Sequence, residues 1–355
     1  MNWYPIKLTA HVRPYAFGAR LIPERLGKTA VPAGIVAETW EISDYRETTG
    51  TVTNGHLAGR TLHELVQTWP EELVGVGWRG PHFPLLAKFL DASHRLPVHL
   101  HADDETARRK YGEPNGKTEA WHILWAAPDA TILAGIQPGK TRTDLFNAFK
   151  AQDYDAVMVR WPIRAGDTVY VPGGVLHTFG PETLIFEIQQ TSDLAQSVMP
   201  EDIYGRPLPV ATWEANIEAA LDELRTGYQP RPNAGLTYRD GANRYTLGCA
   251  GPHFALERWT LTERHVEPPH PRRCLTLSNL GDGVEIAYAG GTERLERGES
   301  CLLPAAIGEI RIEPTRPTEL IVCYVPDLEQ DVVARLRAAG YSDREIATLG
   351  ETGLT

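Results

Sequence analysis

The chain has 355 residues, enough to bury a large core and to build more than one globular unit. Its formal net charge is −11 and it has no long basic run, which excludes the phosphate-neutralising surface that nucleic-acid binding requires. No run of about 18 apolar residues exists, so no membrane span is expected, and 27 prolines with 32 glycines favour many short strands over a helical bundle.

The opening stretch, MNWYPIKLTAHVRPY, has no charged lead followed by an apolar segment, so no secretory signal is expected. In residues 61–73, TLHELVQTWPEEL, Thr61 and Glu64 form a capping-box pair before Leu62, Leu65, Val66 and Trp69. This predicts a short helix that Pro70 ends. Six strands follow, over 83–92, 96–102, 120–127, 130–136, 167–173 and 183–190, each apolar or alternating and bounded by Gly, Pro or Asp turns. A helix is expected from Thr143 to Lys150 between two of them. Residues 211–227 place Trp213, Ile217, Ala220, Leu221 and Leu224 at helical spacing, with Gly227 as the stop. A second strand series starts near residue 236. The tail from 327 to 355 reads as helical, with a Ser342–Glu345 capping box and Tyr341 and Ile346 placed for a hydrophobic staple. Cys249, Cys274, Cys301 and Cys323 form no CxxC pair and read as buried free thiols of a reducing compartment, so a soluble cytoplasmic protein is expected.

The two strand series are related. AGDTVYVPGGVLH (165–177) and RGESCLLPAAIGE (297–309) match Gly166 with Gly298, Asp167 with Glu299 and Pro172 with Pro304. Two copies of one β unit follow. They differ where chemistry would sit: the first has His177, the second Glu309. The first also carries His99 and His101 in LPVHLHADDE, and residues two apart on a strand share a face. A catalytic zinc takes three or four N and O ligands, so His99 and His101 need partners from other strands. Glu119 and His177, polar residues at strand ends, are the candidates. His56, His63, His94 and His122 have no comparable support and read as ordinary surface or core histidines.

These segments resemble class I mannose-6-phosphate isomerases. The resemblance rests on FPLLAKFLDASHRLPVHLHADDETA, AETWEISD (37–44), NGHLAGRTLHELV (54–66), GKTEAWHIL (116–124), AGDTVYVPGGVLHTFG (165–180) and EIQQTSD (187–193). It runs from Pro5 to Asp193 and continues weakly beyond. It implies a mainly β fold of two cupin (jelly-roll) barrels with a small helical segment and a helical C-terminal tail. Residues 1–200 would be the metal-bearing barrel, 201–235 a helical segment and linker, 236–326 a degenerate second barrel and 327–355 the tail. The family's metal ligands fall on His99, His101, Glu119 and His177, with His99 in place of a glutamine. One zinc per chain is implied, although an imidazole-rich set also accepts iron, manganese or nickel.

The resemblance further places Lys117 as acid or electrostatic stabiliser and Glu187 or Asp193 as base in an aldose–ketose isomerisation through an enediol, most simply between mannose 6-phosphate and fructose 6-phosphate. Two departures concern the substrate. Pro97 replaces a family serine and Ser197 a family arginine, groups suited to an oxyanion. Arg142, Arg164 and the arginines of PRR (271–273) are candidate replacements. An isomerase of a different sugar, phosphorylated or not, an Fe(II) cupin oxygenase and a non-catalytic sugar-binding cupin are the alternatives. The expected partner is a small sugar or sugar phosphate.

Overall fold

Side chains on successive strand residues point to opposite faces, so a strand buried on both faces presents one set to a barrel interior and the other to whatever covers it. The computed structural model, which describes residues 1–354, uses both sets. Thr355, the last residue of the expected tail, lies outside the described residues. Antiparallel strands build two sandwiches of cupin type. In the first, one sheet has the order His11–Arg13, Glu38–Ile42, Leu85–Ala92, Thr183–Gln190, Glu119–Ala126, Thr168–Val171. Its partner sheet has the order Gln196–Ser197, His99–Leu100, His177–Thr178, Thr131–Ile136, Met158–Pro162. In the second sandwich, Leu236–Asp240, Asn243–Ala250, Ala255–Leu261, Thr318–Tyr324, Leu275–Asn279 and Ser300–Leu303 repeat the six-stranded order, opposite a four-stranded sheet.

The repeat read from the sequence is therefore a repeat of strands: Thr168–Val171 and Ser300–Leu303 are the same edge of the two large sheets. Val171 pairs with Glu119 and its counterpart Leu303 pairs with Leu275. Leucine thus stands in the second sandwich where the first has its buried carboxylate. An apolar layer joins the two units. Phe89, Phe186 and Ala120, on the outer face of the first large sheet, belong to one core with Leu256, Ile321 and Cys323 of the second. The other face of those first-sheet strands turns Leu90, Trp121, Val169 and Ile185 into the barrel.

The small sheet of the first sandwich alternates in the same way. Val98, Leu100 and Leu176 pack outward against Trp213, Ile217 and Leu221 of the helix Val210–Glu223 and Phe149 of the helix Arg142–Ala151. Full burial of a side chain such as Ile217 is worth about 1.5–3 kcal/mol. The intervening residues, His99, His101 and His177, are left to face the interior. The tail helix Ala334–Ala338 and the turn before it cover the second sandwich through Val332, Val333 and Leu336.

Three expectations need correction. The strand expected over 96–102 is laddered only at His99–Leu100, because Pro97 has no N–H and the carbonyls of His101 and Ala102 accept Gly174 and Lys117 instead. The helix expected to reach Gly227 stops at Glu223. Leu224 is extended and the Arg225 N–H goes to the Gly174 carbonyl. The helix from Thr61 breaks at Trp69, and Pro70 starts a further turn rather than only ending the first. The Thr61–Glu64 and Ser342–Glu345 capping boxes both form. All four cysteines are free and buried. Among the described residues no helix is long and apolar enough to cross a membrane.

Candidate metal centre and active site

Neighbouring strands bring the histidines together. His99 pairs directly with His177 across the small sheet, and His101 lies two residues further along on the same face. The Pro172-Gly-Gly turn before His177 packs so closely that a Cβ on Gly173 would sit 2.7 Å from the Asp103 Cα. That is why this turn carries glycine. The ligand nitrogens of the three rings all lie within 4.8 Å of one another.

Their tautomers are fixed by their outer partners. His99 Nδ1 is 2.7 Å from the Pro97 carbonyl, His101 Nδ1 2.7 Å from the Leu194 carbonyl and His177 Nδ1 2.8 Å from the Val175 carbonyl. A carbonyl only accepts, so each Nδ1 carries the proton and each Nε2 turns a lone pair inward. Burial, then Lys117, pushes His101 down to about 3, and burial holds His99 well below its ordinary value, so both rings are neutral at physiological pH.

Glu119 comes from the facing large sheet. Its oxygens lie 3.1 Å from His101 Nε2 and 3.1 Å from His177 Nε2. Acceptors cannot bond one another, and His177 Nε2 is buried without a hydrogen-bond partner. A cation resolves this. Bonds of 2.0–2.2 Å in a tetrahedral site set neighbouring ligand atoms about 3.4 Å apart, close to the spacing found here. The three imidazoles and Glu119 therefore suit a divalent metal. Trp121 Nε1 donates to Glu119 Oε1 at 2.8 Å and orients the carboxylate.

Beside this cluster runs a buried row of alternating charge. Lys117 Nζ is 2.8 Å from Glu119 Oε2 and 3.5 Å from Glu187 Oε1. Lys88 Nζ is 3.2 Å from Glu187 Oε1 and 3.2 Å from Glu38 Oε1. Strand register places these groups: Glu187 faces Lys88 on one side and Trp121 on the other, and Lys88 also faces Trp40. Burial opposes charge on Lys117, but Glu119 and Glu187 outweigh it and raise its pKa. The same burial, with Glu119 nearby, pushes Glu187 up, while Lys117 holds Glu119 well below the carboxylate range against its own burial. Two neighbouring carboxylates thus have pKa values driven apart. Asp193 lies past the end of its strand, open to the cavity. The surrounding walls raise its carboxyl although Lys117 and Lys88 pull it down.

These groups line a cavity of about 310 Å³. The structure brings His99, His101, Glu119, His177, Lys117, Glu187 and Asp193 to this one place. The sequence reading missed Glu38 and Lys88. Lys88 gave a signal, a lysine inside the apolar strand LLAKFLDA, since buried lysines occur almost only in pairs. Of the arginines considered as replacements, Arg142 pairs with Glu218 and Asp222 on the surface. Arg164 is 81% exposed beside Asp167, and Arg272 and Arg273 line a separate cavity with Asp331. No arginine lines the cavity. Pro97 and Ser197 do, with Ser197 paired to His99.

Lys88 allows a stability test. With Lys88→Met, Glu38 and Glu187 lose their shared buried cation, and removing one partner of a buried pair costs about 3–5 kcal/mol. Chemical denaturation should show a loss of that size. A loss below about 1 kcal/mol, the range of an exposed pair, would mean that the network contributes no stability.

No family model matches the chain. It is 28% identical over 312 residues to a probable mannose-6-phosphate isomerase of Bacillus subtilis, covering 88% of this chain and 97% of that one. It is 29% identical over 306 residues to the mannose-6-phosphate isomerase of Streptococcus mutans, covering 85% and 93%. The solved mannose 6-phosphate isomerase from Bacillus subtilis superposes with a TM-score of 0.80 at 26% identity, covering 90% of this chain and 99% of that one. A putative mannosephosphate isomerase structure from Archaeoglobus fulgidus, 20% identical with a TM-score of 0.70, shares the fold over 91% of this chain and 98% of its own. Likeness in sequence and architecture to mannose-6-phosphate isomerases extends over nearly the whole length of this chain.

Proposed function

We propose that the chain is a metal-dependent aldose–ketose isomerase that interconverts mannose 6-phosphate and fructose 6-phosphate, with zinc on His99, His101, His177 and Glu119. The observation that carries this is the set of inward Nε2 lone pairs converging on an ionised Glu119, beside a charged Lys117 and a carboxyl, Glu187, that is raised into the range of proton transfer. The named relatives support the reaction class.

A bound divalent ion would supply Lewis-acid polarisation of the substrate carbonyl. The protein's own groups do the rest. Glu187 takes the proton from C2 of the open-chain aldose as the C1–C2 double bond forms, and Lys117 gives a proton to the oxygen on C1. The proton held by Glu187 then returns at C1. The C2 hydroxyl returns its proton to Lys117 as it becomes the ketose carbonyl. Asp193, which has no hydrogen-bond partner among the described residues, is placed at the cavity to accept from a sugar hydroxyl and is the second candidate base.

A second reading, an unphosphorylated aldose as substrate, has one observation in its favour. The only Lys or Arg side chains lining the cavity are Lys88 and Lys117, and both are committed to buried carboxylates. The remaining wall is apolar and aromatic, with Tyr15, Phe17, Phe179 and Tyr204. Metal content measured together with initial rates on mannose, mannose 6-phosphate and other aldoses with their 6-phosphates decides between the two. Preference for the 6-phosphate supports the first reading and preference for a free sugar the second. Metal-loaded protein that turns over no aldose would overturn both.

A further inference from the structure

Outside the cavity, three residues far apart in sequence converge on one buried carboxylate. Asp44 follows the strand Glu38–Ile42, His63 lies in the helix Leu62–Thr68, and His82 precedes the strand Leu85–Ala92. Asp44 is wholly buried, at 0% exposure. His63 Nδ1 is 3.1 Å from Asp44 Oδ1, and His82 Nδ1 is 3.7 Å from Asp44 Oδ2. The two rings are 5.4 Å apart between centroids, and the three ligand atoms fall within 4.8 Å of one another.

The electrostatics of this corner are incomplete. Burying a carboxylate costs several kcal/mol unless it is compensated. Asp44 accepts the Phe83 N–H at 2.8 Å and the Thr49 hydroxyl at 3.2 Å and lies within hydrogen-bond distance of His63 Nδ1, yet no lysine or arginine pairs with it among the described residues. Burial holds its carboxyl above the ordinary range despite both imidazoles. His82 Nδ1 is itself buried and has no hydrogen-bond partner. It lies too far from Asp44 for a hydrogen bond but close to the spacing of about 3.4 Å expected of two ligands on one metal. His63 and His82 keep 43% and 31% side-chain exposure, so an ion can reach the site from solvent and keep water in the open position.

We propose that Asp44, His63 and His82 form a second metal site, distinct from the cavity, that takes a zinc-like divalent cation through one carboxylate oxygen and two imidazole nitrogens. None of the three lines the active-site cavity. The ion ties the end of a barrel strand, a helix and the segment leading into the next strand, so its role is structural. Imidazole and carboxylate together suit zinc, cobalt or nickel better than calcium or magnesium, which prefer all-oxygen shells.

The test uses full-length protein equilibrated with buffered Zn2+, with bound metal counted by mass spectrometry. His63→Ala/His82→Ala should bind one equivalent less than the parent, with its isomerase activity unchanged. The lost equivalent should show micromolar affinity in titrations of the metal-free parent, and its binding should raise Tm in the parent but not in the variant. His101→Ala/His177→Ala, by contrast, should keep this equivalent, so the count separates this site from the active-site metal even if the proposed function is wrong. Asp44→Asn, which preserves shape, should lose the same equivalent. Equal metal content in parent and His63→Ala/His82→Ala, or binding only at millimolar Zn2+, would overturn the site.

Discussion

His101→Ala should release the metal and lower kcat/KM by about 10³-fold or more. The ring is 3% exposed, is held by the Leu194 carbonyl through Nδ1, and presents Nε2 to both Glu119 and Lys117. Alanine removes one of four proposed ligands and leaves no other side chain in position to replace it. The lost carbonyl polarisation is worth several kcal/mol of transition-state stabilisation, and each 1.4 kcal/mol is about tenfold in rate. The fold should survive, because the apolar alternates Leu100 and Val98 still pack against the helix Val210–Glu223. Metal content, far-UV circular dichroism and kcat/KM on the best aldose check this together. Turnover within tenfold of the parent in protein shown to be metal-free would end the Lewis-acid reading.

The same alternation explains what could be read from the sequence. Val98-His99-Leu100-His101 announces a strand with one face for packing and one for chemistry, and the repeat comparison isolates His177, because only the first copy keeps it. Glu119 was legible only as a polar residue at a strand end; that its register counterpart is Leu275 emerges from the strand pairing. What stayed hidden depends on contacts between distant segments. Glu38 and Lys88 act as a unit only because adjacent strands set Glu38 against Leu90 and Trp40 against Lys88, a pairing no local pattern encodes. The helix end at Glu223 is decided by Gly174, about fifty residues upstream, whose carbonyl captures the Arg225 N–H before the helix can run on to Gly227. His63 read as ordinary because its partners, Asp44 and His82, are each 19 residues away. The absence of an arginine from the cavity was also beyond reach: Ser197 reveals the loss of one, but only the fold shows that no other takes its place.

Glu187→Gln should lower kcat by about 10²–10⁴-fold, the usual contribution of a positioned proton-transfer group, with KM and bound metal little changed. Glutamine keeps the shape. Lys88 retains Glu38 and Lys117 retains Glu119, so neither lysine is left without a counter-charge. The pH profile separates a catalytic role from a structural one. Burial and the Glu119 charge raise the Glu187 pKa, against Lys88 and Lys117, so the protonated form persists to a higher pH than for an ordinary carboxylate. A base must be unprotonated, so the rate rises as pH climbs through that raised pKa and levels off above it. A divalent cation beside Glu119 draws the pKa back down, so the acid limb of the metal-loaded enzyme should lie below the pKa that Glu187 has in the metal-free protein. In Glu187→Gln that limb should disappear from whatever activity remains. Asp193→Asn is the control, because its carboxyl is also raised and also faces the cavity. If the limb survives in Glu187→Gln and vanishes in Asp193→Asn, Asp193 is the base, and Glu187 serves only to balance the charges of Lys88 and Lys117.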